Sequence, residues 1–277
     1  MNTQREPKPQ ERLAGKVAIV TGATQGLGAD IARELVADGA RVVLAGRSRL
    51  AGEAVARELG DAARFVETDI EHDEQIERCV DIACSHFGGL HILVNNACVY
   101  ADAGLESTRA QWLATLNVNL VSAAIFTQKA ARVMGPGAVI VNLGSTGGKF
   151  GAAGRALYPA SKAGMLQFTR NLAVTLAPRG IRAVSVSPAW TWSPSLVQLS
   201  GGSVEVADAV GARVHPLGRV GRGQEVGRAV AFLCSDAASW ITGADLPVDG
   251  GFSSLGPDQG RSPRAWFAEL APREPAD

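Results

Sequence analysis

The stretch Lys16-Val17-Ala18-Ile19-Val20-Thr21-Gly22-Ala23-Thr24-Gln25-Gly26-Leu27-Gly28 decides the fold. Its opening, KVAIVT, is a short β-branched apolar run, as expected for a strand buried on both faces. Glycines follow at once, and then Ile31, Leu35 and Val36 recur at helical spacing up to Gly39. Strand, glycine turn, helix and glycine stop together open a βαβ unit. Glycines let the backbone turn sharply and approach a diphosphate, whose charge the free N–H groups of the new helix then bind. The spacing is GxxxGxG rather than GxGxxG, and a turn that needs glycine for sterics alone has the same local form.

Composition bounds the rest. A chain of 277 residues with net charge +0 and 46% hydrophobic content has room for one large α/β domain. No internal repeat or linker interrupts it. The expected layout is a polar tail over 1–14, a single domain over 15–252 and an extension over 253–277. Balanced charge, without a basic run interleaved with aromatics, argues against a nucleic-acid partner. The four cysteines show no CxxC spacing and read as buried thiols of a reducing, cytoplasmic compartment. The four histidines form no HxxxH or HxH pair, so no metal is expected. The N-terminus lacks an apolar signal region, and no apolar stretch is long enough to span a bilayer.

Further strand-and-helix pairs follow in order. The second strand, 41–45, ends in Gly46-Arg47-Ser48, with no acidic side chain to accept from ribose hydroxyls. Arg47 suits a 2′-phosphate, or is a solvated charge opening the 48–59 helix. The third strand, 64–68, leads into Asp69-Ile70. Asp69 stands at a strand's C-terminal edge, where it either accepts from an adenine amino group or starts the next helix. The fourth strand, 91–94, runs into Asn95-Asn96-Ala97-Cys98. A long helical region over 108–134 holds Asn119, costly in an apolar stretch unless its amide is used. The fifth strand, 138–143, is followed by Ser145, and the sixth, 181–187, by Pro188-Ala189-Trp190. Residues 191–214 read as an irregular substrate lid, about 190–215 overall, and a plain surface loop has the same look. A helix over 224–234 and a strand over 245–248 close the pattern.

Between the fifth and sixth strands lies Tyr158-Pro159-Ala160-Ser161-Lys162. Residues four apart share one helical face, so a phenol and an ammonium point at the same spot. A nearby cation favours the phenolate and draws the Tyr158 pKa down from its reference of about 10. Such a tyrosine can protonate a carbonyl oxygen or take a proton from an alcohol. An amphipathic helix with Tyr and Lys on its polar side is the plainer alternative.

Taken together these residues resemble the short-chain dehydrogenase/reductase family over about Leu13 to Gly251. Gly22, Gly26 and Gly28 match its TGxxxGxG loop, and Asn95-Asn96-Ala97 the start of its NNAG motif. Asn119, Ser145, Tyr158 and Lys162 match its tetrad. Pro188, Thr242-Gly243 and Val248-Asp249-Gly250-Gly251 match its later signatures. The resemblance implies a Rossmann-like, doubly wound parallel sheet of about seven strands with helices on both faces. It implies an NAD(P)-dependent oxidoreductase interconverting a secondary alcohol and a ketone, with Tyr158 as acid or base and Ser145 bonded to the substrate oxygen. Lys162 would hold ribose hydroxyls and tune Tyr158, and Asn119 would hold a relay water.

Cofactor contacts are expected from Gly22, Thr24, Gln25, Gly26, Leu27, Gly28, Arg47, Asp69, Ile70, Asn95, Ala97, Pro188, Ala189 and Ser193, besides Tyr158 and Lys162. Arg47 favours NADP(H) over NAD(H), although Gln25 stands where NADP-preferring members often carry a base. Cys98, Tyr100, Gly147, Phe150, Trp190, Trp192 and Leu196 should surround a small, apolar or ring-containing alcohol or ketone. Lys149 and Arg155 are either partners for a substrate carboxylate or solvated loop charges. Cys98 and Ala189 replace family glycines, and Val184 a frequent asparagine. A homotetramer or homodimer is implied, with small Ala160, Ala163 and Gly164 permitting close helix packing. The rival reading is a non-catalytic nucleotide-binding regulator or scaffold on the same fold. Such proteins typically lose the Tyr or the Lys, and this chain keeps both.

Overall fold

The apolar runs become seven strands: β1 (Val17–Thr21), β2 (Arg41–Gly46), β3 (Ala63–Glu67), β4 (Ile92–Asn95), β5 (Val139–Leu143), β6 (Arg182–Pro188) and β7 (Asp245–Val248). The computed structural model describes residues 11–256 and 258–270. All strand pairs are parallel, in the order β3-β2-β1-β4-β5-β6-β7. The order reverses between β1 and β4, the switch point at which open α/β sheets bind ligands.

Between the strands run α1 (Gly26–Ala37), α2 (Arg49–Leu59), α3 (Asp73–Phe87), α4 (Arg109–Leu116), α5 (Ser122–Val133), α6 (Leu157–Leu176), α7 (Pro194–Leu199), α8 (Val204–Gly211) and α9 (Gly223–Cys234). Side chains alternate along each strand, so one sheet feeds two cores. Ala18 and Val20 of β1 pack with Ile31 and Leu35 of α1 and Val226 and Val230 of α9. Val17 and Ile19 face Ile76 of α3, Phe126 of α5 and Leu172 of α6. Both layers are closed, as a parallel sheet requires.

Three expectations are corrected. The region 108–134 is not one helix: a π-helical turn, Asn117–Val121, separates α4 from α5 and carries Asn119. The span 191–214 is not irregular, since it holds α7 and α8. Pro194 opens α7, and the Ser203 hydroxyl caps α8 by accepting from the Val206 N–H at 3.2 Å. The domain begins before residue 15, because Leu13 is fully buried in the α1 layer. Beyond these, the extension carries α10 at Pro263–Leu270. Residues 1–10 of the expected tail and 271–277 of the extension lie outside the described residues.

Candidate active site

The start of α1 offers unused donors. Its N-cap Gln25 makes no side-chain bond to the helix, and no acidic residue stands in the first turn. Gly22 and Gly26 have positive φ (64° and 53°), which only glycine adopts without strain. At Gly28 the reason is space: a Cβ there would lie 2.3 Å from the Gly22 carbonyl oxygen and 2.5 Å from Asn96 Nδ2. Asn96 locks this loop to β4, its Nδ2 donating to the Thr21 carbonyl at 2.8 Å. Thr21 Oγ1 returns the tie by accepting from the Asn96 and Ala97 N–H groups at 2.9 and 3.0 Å.

A groove of about 460 Å³ runs over this loop. It is lined by Gly22, Thr24, Gln25, Gly26, Leu27, Gly28, Arg47, Asp69, Ile70, Ala97, Cys98, Tyr100 and Ser193, all expected at the site from sequence. Arg47 is exposed and makes no side-chain bond to another described residue, whereas Glu67 on the neighbouring strand is taken by Arg49 at 2.6 Å. Asp69 uses Oδ1 on its own turn, accepting from the Glu71 N–H at 3.1 Å. The segment after β6 reaches the glycines: Pro194 Cδ lies 3.0 Å from where a Gly26 Cβ would stand. An uncapped helix start, backbone bared by glycines and a groove along the sheet edge fit a dinucleotide.

Asn95 is not in this groove. It is buried, and its Nδ2 donates to Thr127 Oγ1 and Asn142 Oδ1 at 3.1 and 2.8 Å. Asn95 thus ties β4 to β5 and α5, and it is Asn96 that faces the groove. Pro188 and Ala189 also stand outside the groove lining, at the buried end of β6 and just beyond it.

The expected catalytic residues come together beside Tyr100. On α6, Lys162 is buried, with its Nζ 5.7 Å from the Tyr158 ring centroid and donating to the Leu143 carbonyl at 2.6 Å. Ser145 Oγ accepts from the Gly147 N–H at 3.0 Å. A methyl group on Gly147 would lie 3.4 Å from Ser145 Oγ and 3.6 Å from Tyr158 Cε1, so both side chains flank one point. Tyr100 stacks on Tyr158, with centroids 5.0 Å apart and planes at 27°. Tyr100 is 57% exposed as a residue, yet its pKa is pushed up, first by desolvation of the phenol and then by Cys98 and Tyr158.

Asn119 is buried on the π-helical turn and braces the β4 loop. Its Oδ1 accepts from the Val99 N–H at 2.8 Å, and its Nδ2 donates to the Val99 carbonyl and Ser161 Oγ at 3.0 and 3.1 Å. These three bonds tie the β4 loop to α6 through the side-chain amide. Gly164, expected at a subunit contact, sits against Leu120 of its own chain, while Ala160 and Ala163 are exposed.

The aromatic wall is only partly assembled around Tyr158. Phe150 packs on Phe252 at 5.9 Å and Trp190 on His215 at 5.9 Å, while Leu196 lies on α7. The Trp192 N–H donates to the Gly221 carbonyl at 2.9 Å, fastening the segment after β6. Burial pushes the Cys79 and Cys234 thiols up to about 12, so these two are inert packing groups.

One residue that the sequence reading passed over organises the centre. Helix α6 starts without a cap of its own, since its N-cap is Ala156. The carboxylate of Asp102, its side chain only 2% exposed, does this from the β4 loop. It accepts from the N–H groups of Ala156 at 2.9 Å, Tyr158 at 3.1 Å and Gly104 at 3.0 Å. Burial raises its pKa, but the backbone donors outweigh this and hold it below the usual carboxylate range. A helix start at residue 157 with no Ser, Thr, Asp or Asn at 156 is the signal that a distant acceptor is needed.

Comparison with known proteins agrees with this geometry. The family model described as "Enoyl-(Acyl carrier protein) reductase" matches residues 22–253. The chain belongs to the short-chain dehydrogenase/reductase family. It is similar to cis-4-hydroxycyclohexanecarboxylate dehydrogenase of Sinomonas cyclohexanicum, with 39% identity over 88% of this chain and 99% of that one. A 3-alpha-(or 20-beta)-hydroxysteroid dehydrogenase of Mycobacterium tuberculosis is 36% identical over 87% of this chain and 90% of its own. A solved dehydrogenase/reductase from Sinorhizobium meliloti superposes with TM-score 0.81 at 32% identity, covering 88% of this chain and 98% of that chain. The protein is an oxidoreductase of this family, which implies a nicotinamide cofactor. No helix among the described residues is long and apolar enough to cross a membrane.

Proposed function

We propose that the protein interconverts a secondary alcohol and a ketone, with NADP(H) as the favoured cofactor. The observation that carries this is the convergence of Ser145, Tyr158 and Lys162 on one point beside the groove. A nicotinamide held in the groove would supply the hydride chemistry, and the chain's own residues would position the alcohol or ketone and move its proton. Tyr158 takes the hydroxyl proton in oxidation and gives it back in reduction. Ser145 holds the reacting oxygen by a hydrogen bond, and Lys162 supplies fixed positive charge behind the phenol. The relatives named for ring alcohols support a compact or ring-containing substrate.

Cofactor preference rests on Arg47. It stands free at the groove with no acid at the end of β2, which suits a 2′-phosphate and offers ribose hydroxyls no acceptor. In a fluorescence titration NADPH is expected to bind about tenfold or more tighter than NADH, and Arg47→Glu to reverse the order. Equal binding of both, unchanged in the variant, would make Arg47 a solvated charge. A charged contact worth about 1.5–3 kcal/mol sets the size of the effect.

The glycine loop gives a second test. In Gly28→Ala the new methyl meets backbone that cannot yield, so either the loop opens or α1 shifts. Strain of about 1–3 kcal/mol predicts about tenfold or greater weakening of dinucleotide binding by the same titration. Wild-type affinity in a normally folded variant would remove this loop from the cofactor site.

A further inference from the structure

We propose that Arg155 is an anion contact at the mouth of the active site, and that the substrates are alcohols and ketones bearing a carboxylate. This rests on the oxidoreductase reading above and goes beyond it to the second functional group of the substrate. Two cations stand between Ser145 and Tyr158, and the structure separates them. Lys149 is committed to an ion pair with Asp245, whose Oδ1 also accepts from the Ser185 and Ser187 hydroxyls at 2.7 Å. That ammonium braces the Ser145 loop against β7 and is not available to a ligand.

Arg155 is placed otherwise. Its guanidinium carbon lies 5.5 Å from the centroid of the Tyr158 ring, and its side chain is 44% exposed. Its one acidic neighbour is Asp102, 3.5 Å from Nε. That carboxylate is engaged by three backbone N–H groups and approaches the guanidinium at Nε. Neither terminal nitrogen of Arg155 has a partner among the described residues. Nε turned to Asp102 leaves the outer fork, the pair of donors that meets a carboxylate in two parallel bonds. An anion held there lies beside the catalytic phenol. The alcohol carbon and the carboxylate therefore belong to one small molecule, and the Tyr100 ring is placed to cover its apolar part.

The test pairs binding with turnover. Calorimetric titration of the full chain, with and without NADP⁺, compares cyclohexanecarboxylate with cyclohexanemethanol. The acid is expected to bind about tenfold or more tighter, as a charge-assisted pair of bonds implies. Arg155→Ala and Arg155→Gln remove the difference, and Arg155→Lys restores part of it; Gln keeps the stem's packing should Ala disturb folding. In turnover, 4-oxocyclohexanecarboxylate is compared with its methyl ester, and the Arg155 variants lose the preference for the acid through KM. Equal binding of acid and alcohol, or a preference untouched by Arg155→Ala, overturns the proposal. Turnover of the ester with no Arg155-dependent preference for the acid also overturns it, and leaves the oxidoreductase reading standing. Arg155-dependent binding of the acid without turnover of either ketone supports the anion contact and counts against the reaction.

Discussion

Tyr158→Phe is expected to lower kcat by about 10²–10⁴-fold while NADPH binding stays within a few-fold of wild type. The substitution removes one hydroxyl and nothing else. The phenyl ring keeps its stack on Tyr100 and its place beneath the Arg155 and Lys162 cations. Packing and groove are therefore preserved, and the lost rate reports proton transfer alone. Steady-state turnover on any accepted alcohol, set beside a cofactor titration, separates the two effects. Full turnover in the variant would take the acid–base role from Tyr158. A loss of cofactor binding equal to the loss of rate would make the residue a structural support.

Asp102→Ala is expected to cost about 2–4 kcal/mol, because two backbone N–H groups at the start of α6 and that of Gly104 in the β4 loop lose a buried acceptor together. For a domain of this size that is a fall in Tm of about 5–15 °C. Asp102→Asn, which keeps a carbonyl oxygen, should fall between. Activity should suffer beyond stability, since the capped turn is the one that carries Tyr158, and kcat should drop in the folded variant. The pH dependence gives a sharper check. The folded Asp102 pKa lies below its ordinary value, so its stabilisation is fully present above about pH 4. It is lost as the pH falls through the ordinary value towards the folded one. The gap in Tm between wild type and Asp102→Asn should therefore shrink below about pH 4. A gap that does not change with acid would mean that the carboxylate charge contributes nothing.

The sheet was legible in the chain because a parallel strand buried on both faces must be written as an unbroken apolar run. KVAIVT holds such a run, and the strand before Ser145 is one broken only by Asn142. The Tyr158–Lys162 pair was legible because one helical turn brings the two together whatever surrounds them. What escaped depends on partners far away in the chain. Asp102 caps a helix that starts 55 residues later, and nothing in its own neighbourhood announces this. Asn95 and Asn96 are chemically the same, and only the alternation of β4 sends one into the core and the other to the groove. The bracing amide of Asn119 depends on the π-helical turn that carries it, which no local pattern marked. Helices α7 and α8 are a different case. Pro194 and Ser203 are ordinary helix-start signals, and they were outweighed by the glycines and prolines around them.

The stacked phenols carry a consequence for observation. The chain contains only two tyrosines, and they are the two that lie against each other at the proposed reaction centre. Any tyrosine-selective label therefore reports on the proposed active site. Ring-labelled tyrosine would give a magnetic resonance spectrum with two sets of signals, both reporting on the same few ångströms. A ligand that parts the two rings would move both sets, whereas one bound elsewhere on the molecule would leave them where they are.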